Sequence, residues 1–310
     1  MQLAPRLALM LALPPLLWAG NAVLGRMLVD SMSPLWLNAF RWTVALILLT
    51  PFGYRVLATA AARAQIAVRW RYLVVLGLFG IGIYNALQYM ALRTSTPLNV
   101  TLIASSIPVW TMLIGALVYG VIPRRAQLVG ATLSLSGVAL VLSRGEFSSL
   151  RNIQFVEGDL LVLLAILGWS FYSWMLVRPP AHMRGEQRPH WNWAEFLLAQ
   201  CLFGVAWALG SVAVGEAIVP SAPIQWSWLL ALGILYMAIG PSIVAYRVWA
   251  LALTEAGPTL AAIFYNLNPV FAAILSALVI GEWPQPYHGA AFVLILAGIV
   301  VSSRATAKSA

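Results

Sequence analysis

Apolar residues fall along this chain in ten blocks, at about 7–27, 34–52, 72–92, 97–118, 127–143, 158–177, 194–214, 227–247, 258–279 and 287–303. Short stretches rich in Arg, Pro, Ser and Gly separate them. A helix that crosses a bilayer needs about 20 mostly apolar residues. The pattern therefore predicts ten membrane-spanning helices, several of them short enough to require tight packing or local thinning of the bilayer. The longest connections are Tyr54–Arg71, Arg144–Glu157 and Arg178–Trp193, too short for a soluble domain.

Two blocks repeat each other. Pro97–Val118 reads PLNVTLIASSIPVWTMLIGALV, and Pro258–Val279 reads PTLAAIFYNLNPVFAAILSALV. A shift of 161 residues without a gap lays Pro97 on Pro258, Pro108 on Pro269, Gly120 on Gly281, Pro123 on Pro284 and Gly137 on Gly298. Leucines match by chance in any apolar run, whereas prolines and glycines in register mark an internal repeat. Pro108 cannot donate to the carbonyl of Ala104, nor Pro269 to that of Tyr265. In lipid such a carbonyl must find another partner. Helices interrupted at matching positions in two halves point to a carrier's binding site, with Pro108 and Pro269 as hinges.

The basic residues orient the spans. Arg26, Arg93, Arg144 and Arg151 fall on one side and Arg41 inside the second span, while the other thirteen of the eighteen Lys and Arg fall on the side of the N-terminus. That bias predicts both termini in the cytoplasm of a bacterial inner membrane. Five spans in each half, an odd number, place the halves in opposite orientations. The expected organisation is a first repeat over 1–145 and a second over 146–310, an inverted pair typical of carriers.

Composition agrees. The 310 residues are 62% hydrophobic and 9% charged, against about 25% charged in soluble domains. Cys201 alone excludes an internal disulfide and a multi-cysteine metal site. His182 and His190 share a loop and His288 lies elsewhere, so no metal cluster is visible and no cofactor is expected. The high isoelectric point reflects basic residues at helix ends, so the partner is the lipid bilayer and not nucleic acid. No obligate protein partner is visible. The first block continues through Trp18 and Asn21 without a small-residue cleavage site, which marks a retained helix.

Polar and aromatic residues recur on single helical faces. In the first span these are Pro14, Trp18, Asn21 and Gly25. The third carries Gly77, Tyr84 and Gln88, the fourth Thr101, Ser105 and Pro108, and the sixth Trp169 and Tyr172. The ninth carries Ala262, Asn266 and Pro269, with Tyr265 and Asn268 alongside. Each such group has a bland explanation as helix–helix glue. Their concentration in the first, third, fourth and ninth spans favours a cavity. The fifth and tenth spans are plain and read as peripheral supports. Most tryptophans suit the interfacial belt. Trp18 and Trp169 lie within spans beside unusual residues, whereas Trp110 and Trp249 suit ordinary packing. Aromatic rings with a few amides and hydroxyls suit an amphipathic aromatic guest.

What is missing narrows the chemistry. The only lysine is Lys308, and Asp159, Glu195 and Glu255 sit near span ends. A proton pump usually needs a buried ionisable relay, and none stands out. Arg41 is always charged. Its expected partner is Asp30 or a helix C-terminus. The expected cavity is therefore uncharged, suited to neutral or zwitterionic cargo and to facilitated diffusion, or coupling through the substrate, over proton antiport. An intramembrane enzyme would need a nucleophile with its base, or paired acids, at membrane depth. The spans supply neither, so the protein is read as a non-enzyme.

Together these features resemble the drug/metabolite transporter superfamily with tandem EamA domains. The resemblance rests on Leu17-Trp18-Ala19-Gly20-Asn21, Pro34 with Arg41, Ala91-Leu92-Arg93-Thr94-Ser95, Pro108, Gly137, Ala252-Leu253, Asn268-Pro269, Gly281-Glu282 and Gly298, and covers nearly the whole chain. Val121 departs from it, standing where many members carry the glutamate that matches Glu282. The uncharged, aromatic-rich pattern is similar to YddG-type exporters of aromatic amino acids. That likeness implies an all-α fold of ten transmembrane helices in two inverted five-helix repeats, with a cavity lined by spans one, three, four, six, eight and nine. It implies export of aromatic amino acids by alternating access. Trp18, Tyr84, Trp169, Tyr172 and Tyr265 would contact the ring, Asn21, Gln88, Ser105 and Asn266 would hold the ammonium and carboxylate, and Thr101 and Tyr246 complete the substrate-binding set. Export of other neutral amino acids, metabolites or drugs is the alternative.

Overall fold

Long apolar runs fold as helices in lipid because a helix satisfies its own backbone groups. The computed structural model describes residues 4–28, 30–91, 94–95, 97–146, 156–281 and 285–306. These form ten helical spans and, among the described residues, no strand. They are α1 (Pro5–Leu28), α2 (Pro34–Gly53), α3 (60–91), α4 (97–119), α5 (Arg125–Leu142), α6 (Glu157–Val177), α7 (Trp193–Ile218), α8 (Trp228–Ala256), α9 (258–280) and α10 (Pro286–Thr306). Nine of the helical runs are long and apolar enough to cross a membrane, and the remaining crossing, α4, contributes the 13-residue helix Ile107–Tyr119.

Two boundaries differ from the sequence pattern. The third span begins at Ala60, so most of the expected Tyr54–Arg71 connection is helix, started by Thr59, whose hydroxyl accepts from the Ala62 amide at 3.1 Å. The eighth runs on to Ala256, which places Arg247 inside a helix, its guanidinium 5.3 Å from the Trp193 ring. Expectations that fall on Leu92, Arg93, Arg151, Glu282, Trp283, Pro284 and Lys308 lie outside the described residues.

The two repeated prolines do more than kink their spans. α4 breaks into Pro97–Ser105 and Ile107–Tyr119, and α9 into Pro258–Tyr265 and Asn268–Ile280. Pro108 and Pro269 each sit in the first turn of the second piece, where a missing N–H costs nothing. Both second pieces end on a glycine in the left-handed region, Gly120 at φ 67° and Gly281 at φ 82°, a conformation that a side chain would strain. A second matched pair was not visible in the sequence. α3 opens into a π turn at Leu78–Gly82 and α8 into another at Ala238–Val244, again 161 residues or nearly so apart.

Packing follows the same exchange of halves. α3 packs on α6 as α8 packs on α1, and α4 packs on α6 as α9 packs on α1. α2 pairs with its counterpart α7, and α5 with its counterpart α10. The last pair meets backbone to backbone. A Cβ on Gly130 would lie 2.5 Å from the carbonyl of Gly298, and one on Gly298 would lie 2.5 Å from that of Gly130. Small residues in such contacts let helices approach without a hydrophobic driving force, which lipid does not supply.

Gly298→Ala is therefore expected to lower the melting temperature of the purified protein, since overpacking costs about 1–3 kcal/mol. Gly289→Ala, on the same helix with nothing within 4 Å of its Cβ position, should leave it unchanged. Thermal unfolding of the two variants in detergent checks the contact.

Candidate functional site

The interrupted helices surround a cavity of about 200 Å³. α1, α2, α3, α4, α6, α8 and α9 all contribute to its wall. Gln88 near the end of α3 and Val100 and Thr101 near the start of α4 line it, so it lies in the half of the bundle farther from the termini. Pockets for drug-sized ligands run to about 300–1,000 Å³, so this space suits one small metabolite.

One wall is aromatic. The Trp18 ring meets Trp169 edge-on at 5.2 Å and Trp249 at 5.3 Å, and lies 5.8 Å from Tyr265. The π turns hold this wall in place. Trp18 Nε1 donates to the carbonyl of Pro241 at 3.1 Å, and the Tyr246 hydroxyl donates to that of Gly80. Pro241 has no N–H for the carbonyl of Met237, and the Ser242 hydroxyl donates there instead, at 2.8 Å. Polar groups lie among these rings. The hydroxyls of Tyr84 and Tyr265 lie 2.6 Å apart and tie α3 to α9, and Gln88 Nε2 donates to Tyr84 at 3.2 Å. Ser105 returns its hydroxyl to the Thr101 carbonyl at 2.8 Å, one turn above the break in α4.

The third feature is a charge. Arg41 lines the cavity, is 4% exposed, and donates from Nη1 to Asn21 Oδ1 at 3.0 Å. Its guanidinium lies 5.3 Å from the Trp42 ring centroid. The expected partner was Asp30 or a helix end, and the expected cavity was uncharged. The cavity instead has a positive corner. The signal was available in the second span, where Asn38, Arg41 and Trp42 share one helical face. Asn38 donates to the Ile81 carbonyl in the π turn of α3 at 3.3 Å.

Of the expected binding residues, Trp18, Asn21, Tyr84, Gln88, Thr101, Ser105, Trp169, Tyr246 and Tyr265 all line this cavity. Tyr172 does not. It stacks behind Trp169 at 5.2 Å, and its hydroxyl donates to Gln200 Oε1 at 3.3 Å. Asn266 does not either. It is fully buried and donates to Ser134 in α5 at 3.0 Å, which is helix–helix glue. Tyr265, Asn268 and Pro269 share the cavity side at i, i+3 and i+4, whereas Asn266 lies on the side that meets α5. Asn268 reaches the cavity in place of Asn266, beside Pro269. Trp249, expected as packing, is buried against Trp18.

A second chamber of about 430 Å³ lies on the side of the termini, between the end of α6, the start of α7 and the last turns of α8. Arg188, Gln200 and Arg247 are among its lining residues. Tyr246 lines both spaces, and with Tyr172 and Trp169 it forms the partition between them. The buried acids serve as helix caps. Asp159 accepts from the Val156 amide at 3.0 Å and from the Ser95 hydroxyl, and Glu195 accepts from the Asn192 amide at 2.7 Å. No group of three His, Cys, Asp or Glu that could hold a metal occurs among the described residues.

Residues 6–143 and 156–304 each match the EamA-like transporter family. The chain belongs to that family. It is a multi-pass membrane transporter of the drug/metabolite superfamily with tandem EamA regions. An uncharacterized transporter of Archaeoglobus fulgidus is 28% identical over 95% of this chain and 96% of its own length. The uncharacterized inner membrane transporter YedA of Escherichia coli is 25% identical over 97% and 91%. The aromatic amino acid exporter YddG of Ancylobacter novellus is 25% identical over 73% of each chain. A solved crystal structure superimposes with a TM-score of 0.74 over 98% of both chains at 21% identity, a likeness of fold.

Asn266→Ala separates glue from ligand contact. It should cost stability of about 0.6–1.7 kcal/mol, the range of interhelical hydrogen bonds in bilayers, and leave the transport KM unchanged. A raised KM at unchanged stability would return Asn266 to the cavity wall.

Proposed function

We propose that this transporter exports aromatic amino acids and related amphipathic aromatic metabolites by alternating access. The observation that carries the reading is the cavity's division of labour. Trp18, Trp169, Tyr246 and Tyr265 offer ring faces and edges, while Asn21, Arg41, Gln88 and the paired phenols of Tyr84 and Tyr265 offer hydrogen-bonding groups in the same space. An aromatic amino acid carries both kinds of group. The small volume admits one such molecule. The relative named as an aromatic amino acid exporter supports the same substrate class.

On this reading the space opens toward one side of the membrane at a time. Cargo passing from the second chamber to the cavity must displace Tyr246 and Tyr172, the aromatic partition between them. Hydroxyl bonds to Gly80 and Gln200 hold the partition closed. Rocking of one repeat against the other is the motion that broken helices at a shared centre permit. No carboxylate lines the cavity among the described residues, which favours facilitated diffusion. The N-terminal side faces the cytoplasm of a bacterial inner membrane, following the basic residues.

The purified full chain in liposomes should take up labelled phenylalanine and tryptophan saturably without a pH gradient, and threonine far less. Accumulation that requires a pH gradient would contradict facilitated diffusion, and equal uptake of threonine would contradict the aromatic assignment. Orientation is checked separately with an impermeant maleimide. Ala222→Cys, in the exposed α7–α8 connection, should react in intact cells, and Glu186→Cys, in the α6–α7 connection, only after permeabilisation. The native Cys201 is buried.

A further inference from the structure

The substrate class proposed above leaves open which end of an amino acid the cavity reads. Among its described lining residues stand one permanent cation, Arg41, and no carboxylate. A guanidinium carries five N–H donors in a planar fork that matches a carboxylate. Asn21 and the Trp42 ring fix the position of this one. Burial strengthens what it can do, because charge-assisted bonds gain in a low dielectric. Two further features have the same sign. The second piece of α9 begins at the cavity with Asn268 and Pro269, which brings the positive end of a 13-residue helix to the same space. Trp169, in the cavity wall, has a buried indole N–H with no acceptor. An ammonium group, by contrast, would meet no carboxylate among the described lining residues, only amides, hydroxyls, rings and the C-terminal ends of Pro97–Ser105 and Pro258–Tyr265.

We infer that Arg41 with Asn21 forms a carboxylate subsite, and that the transporter selects aromatic carboxylates whether or not they carry an α-ammonium group. This rests on the aromatic reading of the cavity and sharpens it. Aromatic acids without an amine belong to the cargo, and aromatic amines without a carboxylate are excluded. The alternative role for Arg41 is structural, as a clamp between α1 and α2 through Asn21. Charge distinguishes the two, since lysine keeps the cation without the guanidinium fork and glutamine loses it.

The test is competition against labelled phenylalanine uptake into proteoliposomes that hold the full chain. 3-Phenylpropionate should compete about as well as unlabelled phenylalanine, and phenethylamine should be at least about tenfold weaker, the scale of one buried charge-assisted contact. Arg41→Gln should raise the phenylalanine KM about tenfold or more with little change in kcat, and Arg41→Lys should recover part of the loss. Competition by phenethylamine equal to that by 3-phenylpropionate would overturn the subsite. So would an unchanged KM in a folded Arg41→Gln protein. The competition series uses the unaltered chain, so it decides the matter even where the variant fails to fold. If phenylalanine is not carried at all, quenching of tryptophan fluorescence by the same two compounds separates the claims. Quenching by 3-phenylpropionate alone would keep the subsite and remove the amino acid reading. Quenching by neither would remove both.

Discussion

A backbone group inside a bilayer must be satisfied by the protein, and this constraint organises the whole structure. Each half departs from regular helix twice, at a π turn and at a break. The π turns of α3 and α8 present carbonyls to side chains. Tyr246 donates to Gly80, Asn38 to Ile81, Trp18 to Pro241 and Ser242 to Met237. Two of these donors, Trp18 and Tyr246, are also cavity-lining aromatics. The groups that stabilise the irregular backbone therefore also shape the site, and the cavity lies beside the two helix breaks with side chains anchored on the π turns in its wall.

Two kinds of contact divide the remaining work. The self-paired helices α5 and α10 meet through glycines with no room for a side chain, and a Cβ on Gly53 of α2 would likewise lie 2.9 Å from the Ala194 carbonyl of α7. These close contacts hold the halves together at the periphery. The centre is held by polar and aromatic contacts that can be exchanged, such as the Tyr84–Tyr265 pair between α3 and α9. That division suits a molecule whose halves must move about a fixed frame. The exchange of halves does not extend to the charge, for Arg41 lies in α2 and its pocket is built from residues of both repeats.

The sequence pattern made the frame legible because prolines, glycines and basic loop residues each act through the local chain. The ten spans, the 161-residue repeat and the two interrupted helices all follow from such local signals. The π turns escaped because Leu78–Gly82 and Ala238–Val244 share geometry without sharing residues; glycines permit one turn and Pro241 forces the other. Tyr84 with Gln88, and Thr101 with Ser105, are readable from spacing along a single helical piece. Tyr172 and Asn266 turn instead to Gln200 and Ser134, and spacing along one helix does not tell a cavity face from a face packed on a neighbour. Arg41 stands out as the best internal charge, but its bond to Asn21 crosses to another helix, which no spacing along α2 reveals.

The central claim is that an aromatic guest sits where the interrupted helices converge. The direct measurement is photocrosslinking of the purified protein with a diazirine derivative of phenylalanine, followed by peptide mapping. The account predicts adducts on the segments that carry Trp18, Tyr84, Trp169, Tyr246 and Tyr265, abolished by excess phenylalanine. Adducts confined to lipid-facing surfaces, or ones that phenylalanine does not displace, would contradict it.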